Sequence, residues 1–181
     1  MDLENQPGFK QRAQMVTNLV NLVMGLSADE SLRVTDVGCG DGALLKILAM
    51  SQRAWGYELG TGDVQHAQAQ GLDVRQCDII TDELEYGDVV IASEVLEHLA
   101  DPVRFLQRIP AGRTIIVSSP SRETGEWHNP IHTWAWDLTG YRNVIERGGW
   151  RPIYQTECSG GTNIFSGETR LQCFQAIVAV K

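Results

Sequence analysis

The sequence has no long apolar run, no cluster of basic residues and no cysteine pair at metal-binding spacing. A membrane-spanning helix needs about 20 consecutive apolar residues, so none is expected. Lys and Arg number 15 against 23 Asp and Glu, a formal net charge of −8. A surface so charged is not suited to following a phosphate backbone or an anionic lipid layer. Nucleic acid is therefore not expected as a partner, an RNA end being the one such substrate left open. Four cysteines, Cys39, Cys77, Cys158 and Cys173, show no Cys-x-x-Cys spacing, which argues against a zinc ribbon or a disulfide framework. The chain does not start with a basic end followed by an apolar stretch, so no signal peptide is read. The expectation is a cytoplasmic protein with reduced thiols. What is present is ordinary for a globular chain: 181 residues, 43% hydrophobic and 21% charged, enough for one domain with a substantial core. Residues 1–181 are read as that single domain, with 1–30 as an N-terminal helical extension.

The chain is organised around Val34-Thr-Asp-Val-Gly-Cys-Gly-Asp-Gly42. A buried strand from Leu32 to Val37 runs into three alternating glycines and then a helix opening at Ala43. Glycine lets the backbone turn sharply and lets a ligand come close, and amides at a helix start meet polar or negative ligand atoms. An acidic residue about 20 positions later is needed to hold ribose hydroxyls. Glu58 ends the next apolar run, Ala54-Trp-Gly-Tyr-Glu58. Strand, glycine turn and ribose acid together point to a cofactor that contains a nucleoside.

Taken in order, Phe9 to Leu26 places Met15, Leu19, Leu22, Val23 and Leu26 at helical spacing. Strand two is Ala54 to Glu58, and Thr61 to Gln70 is a helix stopped by Gly71. Strand three is Asp73 to Cys77, followed by Asp78 and Ile79. Strand four, Asp88 to Ala92, is continuously apolar, as in a sheet buried on both faces. Asp101-Pro102 starts a helix with Val103, Leu106 and Ile109 facing inward. Strand five is Arg113 to Ser118, and 119–136 is a long connection rich in Trp and His. Asp137 caps a helix ending at Gly148-Gly149. Arg151 to Glu157 and Leu171 to Val180 are the last strands, joined by a glycine-rich connection, 158–170, expected to be mobile. Seven strands with helices between the first six imply an α/β, doubly wound parallel sheet. The last two, joined by a loop alone, should pair antiparallel.

The string Asp36-x-Gly38-x-Gly40-x-Gly42 resembles motif I of the class I S-adenosylmethionine-dependent methyltransferases. The resemblance implies the seven-stranded Rossmann-like sheet of that family, order 3-2-1-4-5-7-6. It implies S-adenosylmethionine as cofactor, with Asp36, Gly38, Cys39 and Gly40 at its amino-acid end. Glu58 would lie on the ribose, Asp78 and Ile79 at the adenine, and Ser93 near the methyl. In many such enzymes a helix before the first strand lies over the cofactor; packing on the sheet edge is the plainer role for Phe9 to Leu26.

At the mouth of strand four, Glu94, Glu97 and His98 have the spacing i, i+3, i+4, which on a helix shares one face. Two carboxylates there repel unless a positive group sits between them. Glu-x-x-Glu-His resembles the metal site of Hen-type small-RNA 2′-O-methyltransferases and the matching region of ubiquinone-biosynthesis O-methyltransferases. His132 stands where the former have a later histidine. The resemblance implies a divalent cation, among Mn, Mg, Fe, Co and Zn, held by Glu94, Glu97, His98 and His132. Without metal, His98 or His132 would be the general base. Trp127, Trp134 and Trp136 wall a flat substrate or pin the loop to the core; Ser93, Trp127 and His128 are expected beside the methyl. The leading reading is O-methylation of a small-molecule hydroxyl. Two others stand beside it: a nicotinamide-dependent oxidoreductase, and a non-catalytic S-adenosylmethionine-binding regulatory or partner protein. The glycine turn and Leu-Glu-His region also resemble methionine-biosynthesis protein W, which works with a partner enzyme.

Overall fold

A computed structural model describes residues 8–27, 31–50, 52–123, 129–165 and 168–181, with backbone alone for 161–165 and 168–171. Its elements are α1 (Phe9–Leu26), β1 (Arg33–Val37), α2 (Ala43–Ala49), β2 (Arg53–Glu58), α3 (Thr61–Ala69), β3 (Val74–Gln76), β4 (Val89–Ser93), α4 (Pro102–Arg108), β5 (Thr114–Pro120), α5 (Leu138–Arg147), β6 (Arg151–Phe165) and β7 (Glu168–Val180). The strands form one sheet in the order β3-β2-β1-β4-β5-β7-β6. The first five run parallel, and β7 is antiparallel to both β5 and β6. The order reverses between β1 and β4, and the carboxyl ends of strands at such a reversal are where ligands sit.

The central strands hold no solvent face. Val34, Val37, Val89, Val90, Ile91, Ile115, Ile116 and Val117 are all buried. One apolar layer joins the sheet to α4 and α5 through Phe105, Leu106, Tyr141 and Ile145. The opposite layer joins it to α1 and α2 through Phe9, Val16, Val20, Leu44 and Leu48. Each fully buried side chain of this size stabilises the fold by about 1.5–3 kcal/mol relative to exposure. Asp101 caps α4 by accepting from Arg104 N at 2.9 Å with Pro102 in the first turn, and Asp137 caps α5 by accepting from Gly140 N at 2.7 Å.

Four features depart from the sequence reading. The buried stripe of α1 is Phe9, Ala13, Val16 and Val20 with Met15 and Leu19, whereas Leu22 and Leu26 are exposed. The inner face is thus turned toward positions that the alternative register of the same periodicity selects. Secondly, no helix lies between β3 and β4 among the described residues. There the backbone is held by side chains instead: Tyr57 Oη bonds Glu85 through both its N–H and C=O, and Thr35 Oγ1 accepts from Gly87 N at 2.7 Å. Thirdly, 158–170 is not a loop. Its described residues continue β6 and β7 in register from Cys158↔Phe174 to Phe165↔Glu168, with an irregularity at Ser159/Gly161. Backbone pairing needs no side chain, so glycine did not prevent it. Lastly, the segment after β4 is not an α-helix. It is a single 3₁₀ turn over Leu96–His98, preceded by Glu94 at φ 59°.

Candidate active site

The first half of the site is the turn after β1. Gly38 has φ 70°, and a Cβ there would lie 2.7 Å from Val95 Cγ2. Both the left-handed backbone and the contact therefore require glycine. The Glu58 carboxylate grips this turn from β2: Oε2 accepts from Gly40 N at 2.9 Å and Oε1 from Gly60 N at 2.8 Å. Two backbone donors fix its orientation and leave further lone pairs for a ligand. Asp36, at the end of β1, is 1% exposed, and its Oδ2 has no hydrogen-bond partner. Burial and then the nearby Glu58 raise its pKa to about 7, against a lowering by Arg12. Cys39 is also buried, and burial pushes its thiol far up, so it is inert as a nucleophile. Asp36, Gly38, Cys39 and Ser93 line one cavity of about 30 Å³, closed on the other side by Phe9, Arg12 and Ala13 of α1. The helix packs on the sheet, and its first turn covers the glycine turn.

Asp78 follows β3, with Oδ1 accepting from Ile80 N at 2.8 Å. It is half-buried beside the buried Ile79.

The second half is the mouth of β4. Because Glu94 lies in the left-handed region rather than on a helix, its side chain does not share a face with Glu97 and His98. It accepts from Ser118 Oγ at 3.0 Å and lies 3.8 Å from the Arg12 guanidinium. Ser93 Oγ is 2.9 Å from Ser118 Oγ. With Ser118 donating to Glu94, Ser93 donates to Ser118. Burial raises the Glu94 pKa, opposed by Arg12, Ser118 and His132.

Glu97, His98 and His132 do come together: one donor atom from each lies within 4.8 Å of the others. The His98 and His132 rings meet edge to face, 4.7 Å apart. Glu97 is wholly buried, and neither carboxylate oxygen has a hydrogen-bond partner. Burial first, then Glu94, pushes its pKa well above the usual carboxylate range. Burial and then His132 lower that of His98. The His98 Nδ1 faces Ile131 O at 3.3 Å, and His132 Nδ1 faces Glu123 Oε2 at 2.8 Å. Hydrogen bonds from Thr133 N and Trp134 N to Glu97 O, at 2.7 and 3.1 Å, stitch the histidine loop to the 3₁₀ turn.

The donor chemistry fits a cation. A buried carboxylate with two unsatisfied oxygens beside two imidazoles suits borderline divalent ions such as Mn²⁺, Fe²⁺, Co²⁺ or Zn²⁺. Among the described residues the close group is Glu97, His98 and His132; Glu94, bound to Ser118 and Arg12, lies outside it, although its charge still raises the pKa of Glu97. Trp127 and His128, expected near the methyl, lie outside the described residues.

Residues 18–136 match the family described as methionine biosynthesis protein MetW. The chain belongs to that family. Among curated proteins it is similar to the ubiquinone biosynthesis O-methyltransferase of Azorhizobium caulinodans, 39% identical over 88 residues, covering 44% of this chain and 35% of that protein. The chain thus spans well under half the length of this relative. Among solved structures it superposes on the magnesium protoporphyrin IX methyltransferase of Synechocystis with bound S-adenosylhomocysteine, TM-score 0.65, 18% identity, covering 93% and 84% of the two chains. A [4+2]-cyclase has the same fold, with TM-score 0.69, 16% identity and 91% and 80% coverage. The fold is that of the class I S-adenosylmethionine-dependent methyltransferases. No helix among the described residues is long and apolar enough to cross a membrane.

Sequence reasoning missed Arg12, Ser118, Glu123 and Asn129. Asn129 Nδ2 is 3.2 Å from His132 Nε2. Arg12 had one visible signal, a cation on the inner stripe of an otherwise apolar helix face, next to Ala13 and Phe9. Glu123 had none, since it lies in an aperiodic stretch of polar residues.

Proposed function

We propose that the protein transfers the methyl group of S-adenosylmethionine to a hydroxyl oxygen of a small molecule. The observation that carries this reading is the glycine turn clasped by Glu58. Its pre-oriented carboxylate receives the ribose hydroxyls, and Asp78 with Ile79 receives the adenine. Asp36, buried and without a partner on Oδ2, accepts the α-ammonium of the cofactor. Arg12, across the same cavity, takes its carboxylate. Entry of that end requires the first turn of α1 to move outward, because about 30 Å³ is far too little for an amino-acid group.

Methyl transfer from a sulfonium is an in-line displacement in which the cofactor brings electrophile and leaving group. The chain aligns the acceptor, an effect worth about 7–11 kcal/mol in favourable cases, and removes the hydroxyl proton. Without a metal, His132 takes that proton: Glu123 accepts from its Nδ1–H at 2.8 Å, and Nε2, which meets the Asn129 amide at 3.2 Å, exchanges that partner for the acceptor hydroxyl. Glu97, His98 and His132 would hold a divalent ion when one binds, and such an ion orients an acceptor oxygen and lowers the pKa of its hydroxyl. The net negative charge supports a small acceptor over a polynucleotide.

A second reading is favoured by the small volume of the donor-side cavity: a cofactor-binding partner protein without turnover. The test is transfer of labelled methyl from S-adenosylmethionine to a panel of small hydroxyl compounds, beside titrations with S-adenosylhomocysteine and NAD. Labelled product supports methyl transfer. Binding of S-adenosylhomocysteine with no product across the panel supports the second reading. Binding of NAD alone overturns both.

A further inference from the structure

A cavity of about 570 Å³ lies away from the glycine turn, between the start of α4 and the outer face of α5. Its walls include Pro102 and Val103 on one side, Trp134 and Trp136 on another, and Asn143 and Arg147 at one end. The two indoles stack with planes 7° apart and centroids 6.1 Å apart, and Trp136 packs in turn on Tyr141 at 5.4 Å. Trp136 is buried, but Trp134 is 41% exposed. Trp134 is not a loose surface ring. Its Nε1–H donates to Leu99 O at 2.8 Å and its backbone N to Glu97 O at 3.1 Å. A large aromatic face is therefore fixed in place and left uncovered, a costly arrangement for a side chain whose main contribution is buried area. The guanidinium of Arg147 and the amide of Asn143 make no ion pair or side-chain hydrogen bond with any described residue. The acid in the lining, Asp101, has Oδ1 committed to the α4 cap at 2.9 Å.

We infer that this cavity binds a planar aromatic anion, its ring against Trp134 and its carboxylate toward Arg147 and Asn143. The volume falls in the range of small-molecule sites. A fixed indole offers a stacking face at little entropic cost, and the guanidinium fork matches a carboxylate. The site is distinct from the cofactor turn and does not depend on the methyl-transfer reading. It is tied to the Glu97, His98 and His132 cluster through the backbone, because the segment carrying Trp134 is the one bonded to Glu97 O.

The test is fluorine NMR of 4-(trifluoromethyl)benzoate titrated with the full chain, and of the neutral 4-(trifluoromethyl)benzamide as control. The parent should shift and broaden the benzoate resonance saturably. Arg147→Met should weaken the benzoate about tenfold and leave the benzamide unchanged. Trp134→Leu should weaken both. Arg147 is exposed, so its variant keeps the test decisive even where Trp134→Leu disturbs folding. No saturable binding to the parent overturns the site. Equal behaviour of acid and amide in Arg147→Met overturns the assignment to an anion.

Discussion

Replacing Arg12 by Met is the sharpest probe of how the cofactor is held. The Met stem can keep the apolar contact with Phe9 and Phe174, whose ring centroids lie 5.6 and 5.3 Å from the guanidinium, while the charge is lost. In the free protein that charge faces Glu94 at 3.8 Å, with the two side chains only 13% and 15% exposed. Two unit charges at this separation attract by about 4 kcal/mol at an effective dielectric constant of 20. Losing them affects stability first, since Glu94 is left buried without its cation. Binding reads a different quantity, the bond between guanidinium and ligand carboxylate. A charge-assisted bond is worth about 1.5–3 kcal/mol, or roughly 10- to 150-fold in affinity. Calorimetry should separate the two effects. S-adenosylhomocysteine carries the amino-acid end and should weaken by that factor. Methylthioadenosine shares the adenosine and sulfur but has no carboxylate, and should bind the variant as it binds the parent. Arg12→Lys, which keeps the charge but not the fork, should fall between. Equal loss of both ligands, or full retention of S-adenosylhomocysteine binding, would refute the assignment of Arg12. If neither ligand binds the parent, the cofactor reading itself fails.

Asp36→Asn should stabilise the free protein at pH 8 and weaken S-adenosylhomocysteine. The folded carboxyl has its pKa raised to about 7, against about 3.9 in the unfolded chain. Its ionisation therefore penalises the fold fully above pH 7 and not at all below about pH 4, by a few kcal/mol at order of magnitude. Thermal melts at pH 8 and pH 4 check this; a variant that loses as much stability at pH 8 as at pH 4 contradicts it. Because the α-ammonium needs the ionised form, affinity of the parent for S-adenosylhomocysteine should drop as pH falls below about 7, with methylthioadenosine unaffected. For the Glu97, His98 and His132 set, EDTA should abolish turnover, Mn²⁺ should restore it, and cofactor affinity should survive both. Glu97→Gln should behave like chelation, and full activity in EDTA would leave His132 with Glu123 as the base.

The sheet was legible because it depends on short-range signals. Apolar runs, glycine stops and acidic caps at Asp101 and Asp137 mark each element, and alternation of strand and helix leaves few topologies. The placement of Asp36, Gly38 and Glu58 around the β1 turn was legible for the same reason, since they sit at strand ends whose neighbours the topology dictates. The mouth of β4 was not. Spacing alone placed Glu94, Glu97 and His98 on one helical face, but φ 59° at Glu94 redirects a side chain in a way no periodicity records. Arg12 meets Glu94 across 82 positions of chain, and Glu123 reaches His132 within an irregular loop. Such contacts are set by tertiary packing. The hairpin was misread because glycines weaken a strand in statistics without removing its ladder.

Those hairpin glycines bear on the order in which the molecule can be completed. A Cβ on Gly8 would lie 2.7 Å from Phe174 Cε2, and one on Gly160 would strike the same ring. The start of α1 is therefore seated on residues 160 and 174, far away in sequence. During synthesis α1 emerges well before its seat at residues 160 and 174. The β1 turn, Glu58 and Asp78 can be assembled long before Gly8 and Arg12 meet Phe174. On the proposed reading, a nascent chain at that stage would have half a nucleoside site with no cover over it, and ligand would not stabilise it as it would the folded chain. Contacts this distant in sequence also slow folding, and they tie the covering of the glycine turn to the arrival of the β6–β7 hairpin.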